Sequence, residues 1–432
     1  MQIQQSLRDQ PMTRYQIAIV AMCVAINILD GFDILSIAFA SPALAREWGL
    51  SSQQLGFLLS SGLVGISIGV LFFSFLADKI GRRPVILTSL VIMSAGMIAC
   101  GFAGNAHWLA LCRVLTGLGI GGMTATGGAL AIEYSSVRRR TLAVALVVIG
   151  YPVGATLGGV VAMGLLEMFG WRSVFWFGGA LSLLLLPVLI VWLPESIDLL
   201  LKKRDAGALD KVNLYLRRMG KAAVSNLPRI EGNETRQPVS ALITHFGKTT
   251  FLLACAYAGF MFSFYFIINW ATKLVTEMGL PDHAGVTASI MINLAGILGG
   301  LIVGILSARL SLSRLVGGVL LLMGAAIAPF GLLPPQIFAL YGASFILGFF
   351  MWAGSALAYN VIALSYPAEI RATGIGLIVT IGRIGSILGP YTAGVMLGAG
   401  MSRAMVTLLL ALPVMIAALL FAQVARTRRA LG

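Results

Sequence analysis

The sequence predicts an all-α membrane protein whose twelve transmembrane helices form two six-helix halves. Three observations predict it. The chain of 432 residues is 58% hydrophobic and only 11% charged, whereas a soluble domain carries about 25% charged residues. Twelve apolar segments are long enough to cross a bilayer, at residues 15–40, 53–76, 84–104, 108–132, 141–166, 172–193, 248–273, 284–306, 314–333, 336–362, 372–398 and 404–425, since about 20 apolar residues span the hydrocarbon core. The basic residues also alternate. With both termini on one side, that side holds 24 of the 30 Lys and Arg, the other holds four (Arg46, Arg172, Lys273, Arg403), and Arg113 and Arg383 fall within spans. Lys and Arg gather on the cytoplasmic side of membrane proteins, so both termini are expected there. The same bias accounts for the net charge of +14 without a nucleic-acid partner.

Taken in order, residues 1–14 form a polar cytoplasmic N-terminus, and the apolar run that follows is too long for the h-region of a signal peptide. The spans are read as helices because lipid-exposed backbone must satisfy its own hydrogen bonds. Residues 15–194 make the N-terminal half. Residues 195–247 form a polar, basic cytoplasmic loop, with Lys202-Lys203-Arg204 and Arg217-Arg218, and a short amphipathic helix near Leu209–Leu216 is expected to lie on the inner leaflet. Asn233-Glu234-Thr235 has the glycosylation pattern but faces the cytoplasm on this topology. Residues 248–425 make the C-terminal half, and residues 426–432 a cytoplasmic tail. The four cysteines lie in apolar segments and read as packing residues, and the three histidines show no metal spacing.

The halves echo each other. Glu133-Tyr134-Ser135-Ser136-Val137-Arg138 follows the fourth span, and Tyr366-Pro367-Ala368-Glu369-Ile370-Arg371 follows the tenth. Leu76-Ala77-Asp78-Lys79-Ile80-Gly81-Arg82-Arg83 follows the second, and a worn copy, Leu306-Ser307-Ala308-Arg309-Leu310, follows the eighth. Matching loops in two halves indicate an internal repeat, an arrangement typical of secondary transporters with a site between the repeats.

Several of these stretches resemble one family. Asp78-Lys79-Ile80-Gly81-Arg82-Arg83 resembles the loop signature of the major facilitator superfamily, with Ser74 where that motif usually begins with Gly. Arg113 with Gly117, Gly119 and Gly121 resembles its fourth-helix motif, Gly150-Tyr151-Pro152-Val153-Gly154 its fifth-helix motif, and Pro194-Glu195-Ser196 the end of its sixth helix. Within it, Asp30-Gly31-Phe32-Asp33 resembles the signature of the aromatic acid:proton symporter family, which imports benzoate-type acids. The resemblance implies the major facilitator fold and transport by alternating access. It also implies gating contacts from Asp78, Arg82 and Arg83, a related inner network of Glu133, Arg138, Glu369 and Arg371, and a close-packed fifth helix at Gly150, Pro152 and Gly154.

Asp30 and Asp33 interrupt the first span, where one charge costs at least about 2.5–3.5 kcal/mol. Three residues apart, they share a helical face. Arg113 and Asp33 each lie about 10 Å from the outer ends of their spans. A buried ion pair that merely locks two helices is one reading. It leaves the second carboxylate unexplained, and buried pairs stabilise poorly. The other reading gives Arg113 to a substrate carboxylate, which suits a bidentate guanidinium, and the aspartates to proton coupling. Arg383 is a second candidate for the anion. Walls for an aromatic ring are expected from Asn27, Tyr265, Asn269, Trp270, Asn293, Trp352, Tyr359 and Asn360.

The expected function is therefore a multi-pass importer of the bacterial inner membrane. It would take up an aromatic carboxylate of the benzoate or hydroxybenzoate type by proton symport, as a functional monomer with no cofactor but the proton. Rivals are a carrier of another organic acid such as a muconate-like diacid, an exporter, and an aromatic-acid sensor. An enzyme is not expected, because no Walker loop, nucleotide fingerprint or GxSxG element occurs.

Overall fold

Long apolar runs form helices here, and side-chain caps at Thr13, Ser51 and Asn105 start three of them. A computed structural model describes residues 11–204, 207–227, 239–307 and 309–429. Its N-terminal half comprises α1 (Arg14–Trp48), α2 (Ser52–Ile80), α3 (Arg82–Gly101), α4 (Ala106–Glu133), α5 (Val137–Phe169) and α6 (Trp171–Trp192). Two short helices follow, α7 (Ile197–Lys203) and α8 (Ala208–Arg218). The C-terminal half comprises α9 (Val239–Thr276), α10 (Asp282–Leu306), α11 (Leu312–Ile327), α12 (Ile337–Leu364), α13 (Ala368–Gly398) and α14 (Arg403–Arg429). Twelve of these helices are long and apolar enough to cross a membrane. Capping boxes start α1 (Thr13 with Gln16) and α2 (Ser51 with Gln54), satisfying otherwise orphaned N–H groups. α1 runs through Pro42 to Trp48, past the apolar run, and α9 starts at Val239 and bends at Phe246 (φ −127°, ψ 18°).

The repeat read from the loops is visible in the packing. α2 packs on α4, α1 on α5 and α3 on α6; the equivalent pairs α10 with α12, α9 with α13 and α11 with α14 pack in the C-terminal half. α1 and α5 meet backbone to backbone: a Cβ at Gly154 would strike the Ile28 carbonyl, and one at Gly31 the Tyr151 carbonyl. Such approach needs small residues.

α8 corrects one expectation. Its apolar face is not laid on lipid. Val212, Tyr215 and Leu216 are buried in one cluster with Tyr15, Ile19 and Leu193, and the Tyr215 hydroxyl accepts the Glu195 N–H at 3.2 Å. The ends of α1 and α6 offer protein surface that covers this face. α7, ahead of it, carries a further buried edge of Ile197, Leu200 and Leu201.

The halves meet through α2 with α13, α5 with α10 and α1 with α9. Both termini and the central segment share one end of the bundle, the terminus-bearing end; the opposite end is the far end. The inter-half contacts gather toward the far end. Ser60 donates to the Ile387 carbonyl at 2.8 Å, Thr287 to Met163 Sδ at 3.4 Å, and Arg46 forks onto the Asp282 carboxylate. α1 is buried on every side from Leu29 to Pro42, and α9 from Phe266 to Thr272. Toward the terminus-bearing end both helices show exposed positions, Ile17 and Ala21 on α1 and Phe251 and Cys255 on α9.

Candidate functional site

The charged residues of the first span lie in the core of the N-terminal half. Asp30, Asp33 and Arg113 are 2%, 0% and 3% exposed. Arg113 reaches from α4 to the backbone of α1. Its Nη1 donates to the Asp33 carbonyl at 3.1 Å and to Ser36 Oγ at 3.3 Å, and touches Met97 Sδ at 3.6 Å; its Nη2 donates to the Ile34 carbonyl at 3.5 Å. The Asp33 carboxylate is not among its partners. All four carboxylate oxygens of Asp30 and Asp33 are buried without a hydrogen bond from the protein. Asp33 fits because α6 has Gly178 there: a Cβ at that position would lie 2.8 Å from Asp33 Oδ1. Asp30 stands within electrostatic reach of Asp33 and of the Tyr151 hydroxyl on α5.

A second constellation sits where the halves touch. Tyr151 of α5 stacks obliquely on Trp352 of α12, centroids 5.3 Å apart. Phe264 of α9 meets the same indole edge-on at 5.4 Å and neighbours Tyr265 at 5.5 Å. Tyr265 also packs against the N-terminal cluster. The half-buried Arg383 of α13 lies within electrostatic reach of Tyr257 and Tyr265, and its Nε is buried without a partner. Thus Arg113 is enclosed in one half, while Arg383 stands beside an aromatic wall shared by both.

The other expected wall residues take different places. Asn293 is fully buried on α10, its Nδ2 donating to the Ser289 carbonyl at 2.9 Å. Asn269 donates to the Tyr265 carbonyl at 2.9 Å within α9. Trp270 is a strut, fully buried, its Nε1 donating to the Pro390 carbonyl of α13 at 2.9 Å. Asn27 packs beside Gly150 and donates weakly to the Cys23 carbonyl, at 3.4 Å. Tyr359 and Asn360 are exposed on α12, two turns from Trp352 toward the terminus-bearing end. Sequence reasoning did not single out Tyr151, Phe264, Tyr257, Met97 or Gly178. An aromatic inside the Gly150–Pro152 stretch was the one available signal, for Tyr151.

A model described as Major Facilitator Superfamily matches residues 22–390. The chain belongs to the major facilitator superfamily. A gallate transporter of Pseudomonas putida is 32% identical over 417 residues, covering 95% of this chain and 92% of that protein. The 4-hydroxybenzoate transporter PcaK of Acinetobacter baylyi is 31% identical, covering 96% and 92%. Among solved structures, a bacterial homologue of the human lysosomal transporter Spinster superposes with a TM-score of 0.74 at 18% identity, over 96% of this chain and 98% of that one. The likeness to Spinster shows the fold alone. The superfamily and the relatives are transporters, so this chain is a transporter and not an enzyme.

In this major facilitator protein the loop motif builds a network at the terminus-bearing end. Arg82 pairs with Glu133 at 2.6 Å, and Glu133 also accepts from Ser196 Oγ at 2.8 Å and the Asp198 N–H at 2.8 Å. Glu195 Oε1 accepts the N–H groups of Arg82 and Arg83 at 2.8 and 3.3 Å, capping the N-terminus of α3. Arg83 Nη2 donates to the Ile190 carbonyl at 2.6 Å, and Tyr134 to the Glu195 carbonyl at 2.7 Å. These bonds tie the N-terminal half to the start of the central segment, and none of them reaches the C-terminal half. Asp78 ends α2 nearby, Arg138 is exposed, and Arg371 donates to the Tyr366 carbonyl at 3.3 Å in the other half. The Glu369 side chain lies outside the described residues. At the far end Glu47 receives Trp171 Nε1 at 2.6 Å and Arg172 at 2.9 Å, beside the Arg46–Asp282 pair.

Proposed function

We propose that this protein imports an aromatic carboxylate of the benzoate or hydroxybenzoate type across the bacterial inner membrane by proton symport, with both termini in the cytoplasm. The observation that carries the reading is Arg383, a half-buried guanidinium within electrostatic reach of Tyr265, which packs against the N-terminal half. Its planar fork suits a carboxylate, and the aromatic wall suits a ring. The printed names of the relatives, gallate and 4-hydroxybenzoate transporters, support the same substrate class. With Arg113 held by the backbone of α1, one guanidinium rather than two faces the joint among the described residues, which favours a monocarboxylate over a muconate-like diacid.

Asp30 and Asp33 are the proton-carrying groups on this reading. Ionisable side chains in a span mark relays and pathways, and these two use none of the protein's own donors. The Arg113 contacts run to the Asp33 and Ile34 carbonyls and Ser36, so a change of charge on Asp33 acts on the stretch of α1 that Arg113 holds. The halves then rock about the aromatic joint, the described arrangement being the state closed at the far end. One proton per anion leaves the pH gradient as the drive; a second adds the membrane potential, about 2.3 kcal/mol per charge per 100 mV. A monomer holds all these groups and uses no cofactor but the proton.

The test is uptake of labelled 4-hydroxybenzoate into proteoliposomes with and without an acid-outside gradient. Accumulation that needs the gradient, and that Asp30→Asn and Asp33→Asn each abolish, is the expected result. Accumulation retained in both variants would remove proton coupling from these residues. Binding without net flux would favour a sensor.

A further inference from the structure

Tyr151 Oη, Arg383 Nε, Trp352 Nε1 and Asn293 Oδ1 are buried at or beside the joint without a partner in the protein, and the last two are complementary. Trp352 Nε1 is a donor and Asn293 Oδ1 an acceptor, and neither has a partner in the protein. They come from different helices, α12 and α10. The indole lies against Gly296, where a Cβ would sit 2.6 Å from Nε1. Asn293 is three residues before Gly296 on the same face of α10, so the two positions are about 5–6 Å apart. The Asn293 amide is oriented by its Nδ2 bond to the Ser289 carbonyl, 2.9 Å, which fixes Oδ1 as the free atom. The indole is held from two further sides, by Phe264 at 84° and Tyr151 at 52°. Packing alone would be served as well by apolar side chains, without two polar atoms whose burial is unfavourable.

We infer that Trp352 Nε1 and Asn293 Oδ1 together read a phenolic hydroxyl, so that the protein selects aromatic acids hydroxylated at the 3- or 4-position over the unsubstituted acid. This rests on the aromatic-acid reading above. A phenolic O–H both accepts and donates through one oxygen. It accepts from the indole N–H and donates to the amide oxygen. A methyl ether accepts only. Arg383 holds the carboxylate, with Tyr265 within electrostatic reach of both Arg383 and Tyr151. The hydroxyl must then project away from the carboxylate. The 3- and 4-positions do this, whereas a 2-hydroxyl is turned back onto its own carboxylate.

The test is equilibrium binding to the purified full chain of benzoate, 2-, 3- and 4-hydroxybenzoate and 4-methoxybenzoate. The 3- or 4-hydroxy acid is expected to bind at least about tenfold more tightly than benzoate, 2-hydroxybenzoate and 4-methoxybenzoate, as two added hydrogen bonds predict. Trp352→Phe, which keeps a ring, and Asn293→Leu, which keeps the shape, should each bring the ratio to benzoate within about threefold, chiefly by weakening the hydroxy acid. Equal wild-type affinity for benzoate and both hydroxy acids overturns the inference and leaves aromatic-acid transport standing. An unchanged ratio in both variants, with wild-type melting temperatures, overturns it too and assigns the pair to packing. Binding of none of these acids removes the aromatic-acid reading itself.

Discussion

At the scale of single residues, the first span shows how a costly feature is accommodated. Asp30 and Asp33 sit where charge is unfavourable, and the space for Asp33 comes from Gly178 on α6. A methyl group there would approach Asp33 Oδ1 at 2.8 Å, Met97 Cε at 2.6 Å and Phe32 Cε1 at 2.7 Å. Overpacking of this kind costs about 1–3 kcal/mol. Gly178→Ala should therefore lower the melting temperature and cut proton-driven uptake, while Gly164→Ala, with nothing within 4 Å, should change neither. Equal behaviour of the two variants would show that Asp33 has room to move. The aspartates were legible in the sequence because a charge inside an apolar run is conspicuous. Gly178 and Met97 were not, because one more small or apolar residue in a span carries no distinguishing mark, and Tyr151 was marked only by its place inside the Gly150–Pro152 stretch.

At the scale of the element, hydropathy located the spans but not all of their ends. Residues 41–48 continue α1 to Trp48 and residues 239–247 begin α9, and both stretches lie outside the apolar runs read from the sequence. The α9–α13 pair also separates a strut from a site. Trp270 and Tyr265 are both aromatic, five positions apart, and both read as possible walls of the site. Trp270 spends its donor on the Pro390 carbonyl, while Tyr265 sits at the joint near Arg383. Losing one such bond costs about 1 kcal/mol. Trp270→Phe is thus expected to lower the melting temperature by a few degrees and to leave the apparent affinity for the transported acid within about twofold. A large loss of affinity would move Trp270 into the site.

At the scale of the whole molecule, the far end joins the halves through a close-packed α2–α13 seam and an exposed ion pair. The Arg46–Asp282 pair bridges the halves with side chains 61% and 34% exposed, and exposed pairs contribute about 0–1 kcal/mol. That is enough to move a two-state population up to about fivefold. Ser60, 4% exposed, donates across the α2–α13 seam and can report on opening. In a Cys255→Ser background, Ser60→Cys labelling should quicken up to about fivefold in Arg46→Glu and return toward the starting rate when Asp282→Arg is added. Added salt should quicken it modestly in the protein with the native pair. No change in any of these would mean that the seam alone holds the far end closed.

By itself the sequence determined the number of spans, their division into two repeats, the ionisable residues buried within them and the superfamily. These are properties of composition along one chain: apolar length, loop charge and short motifs. Tertiary structure alone decided which way each polar residue faces. Arg113, the leading candidate for the anion, bonds to the backbone of α1 inside one half, while Arg383 stands at the joint beside Tyr265. It also decided that Trp352 of α12 meets Tyr151 of α5, and that the halves touch toward the far end. The physical reason is that a span is apolar both where it packs on other helices and where it faces lipid, so its hydropathy is nearly uniform around the helix. The direction of a side chain then depends on which distant helix packs against that face.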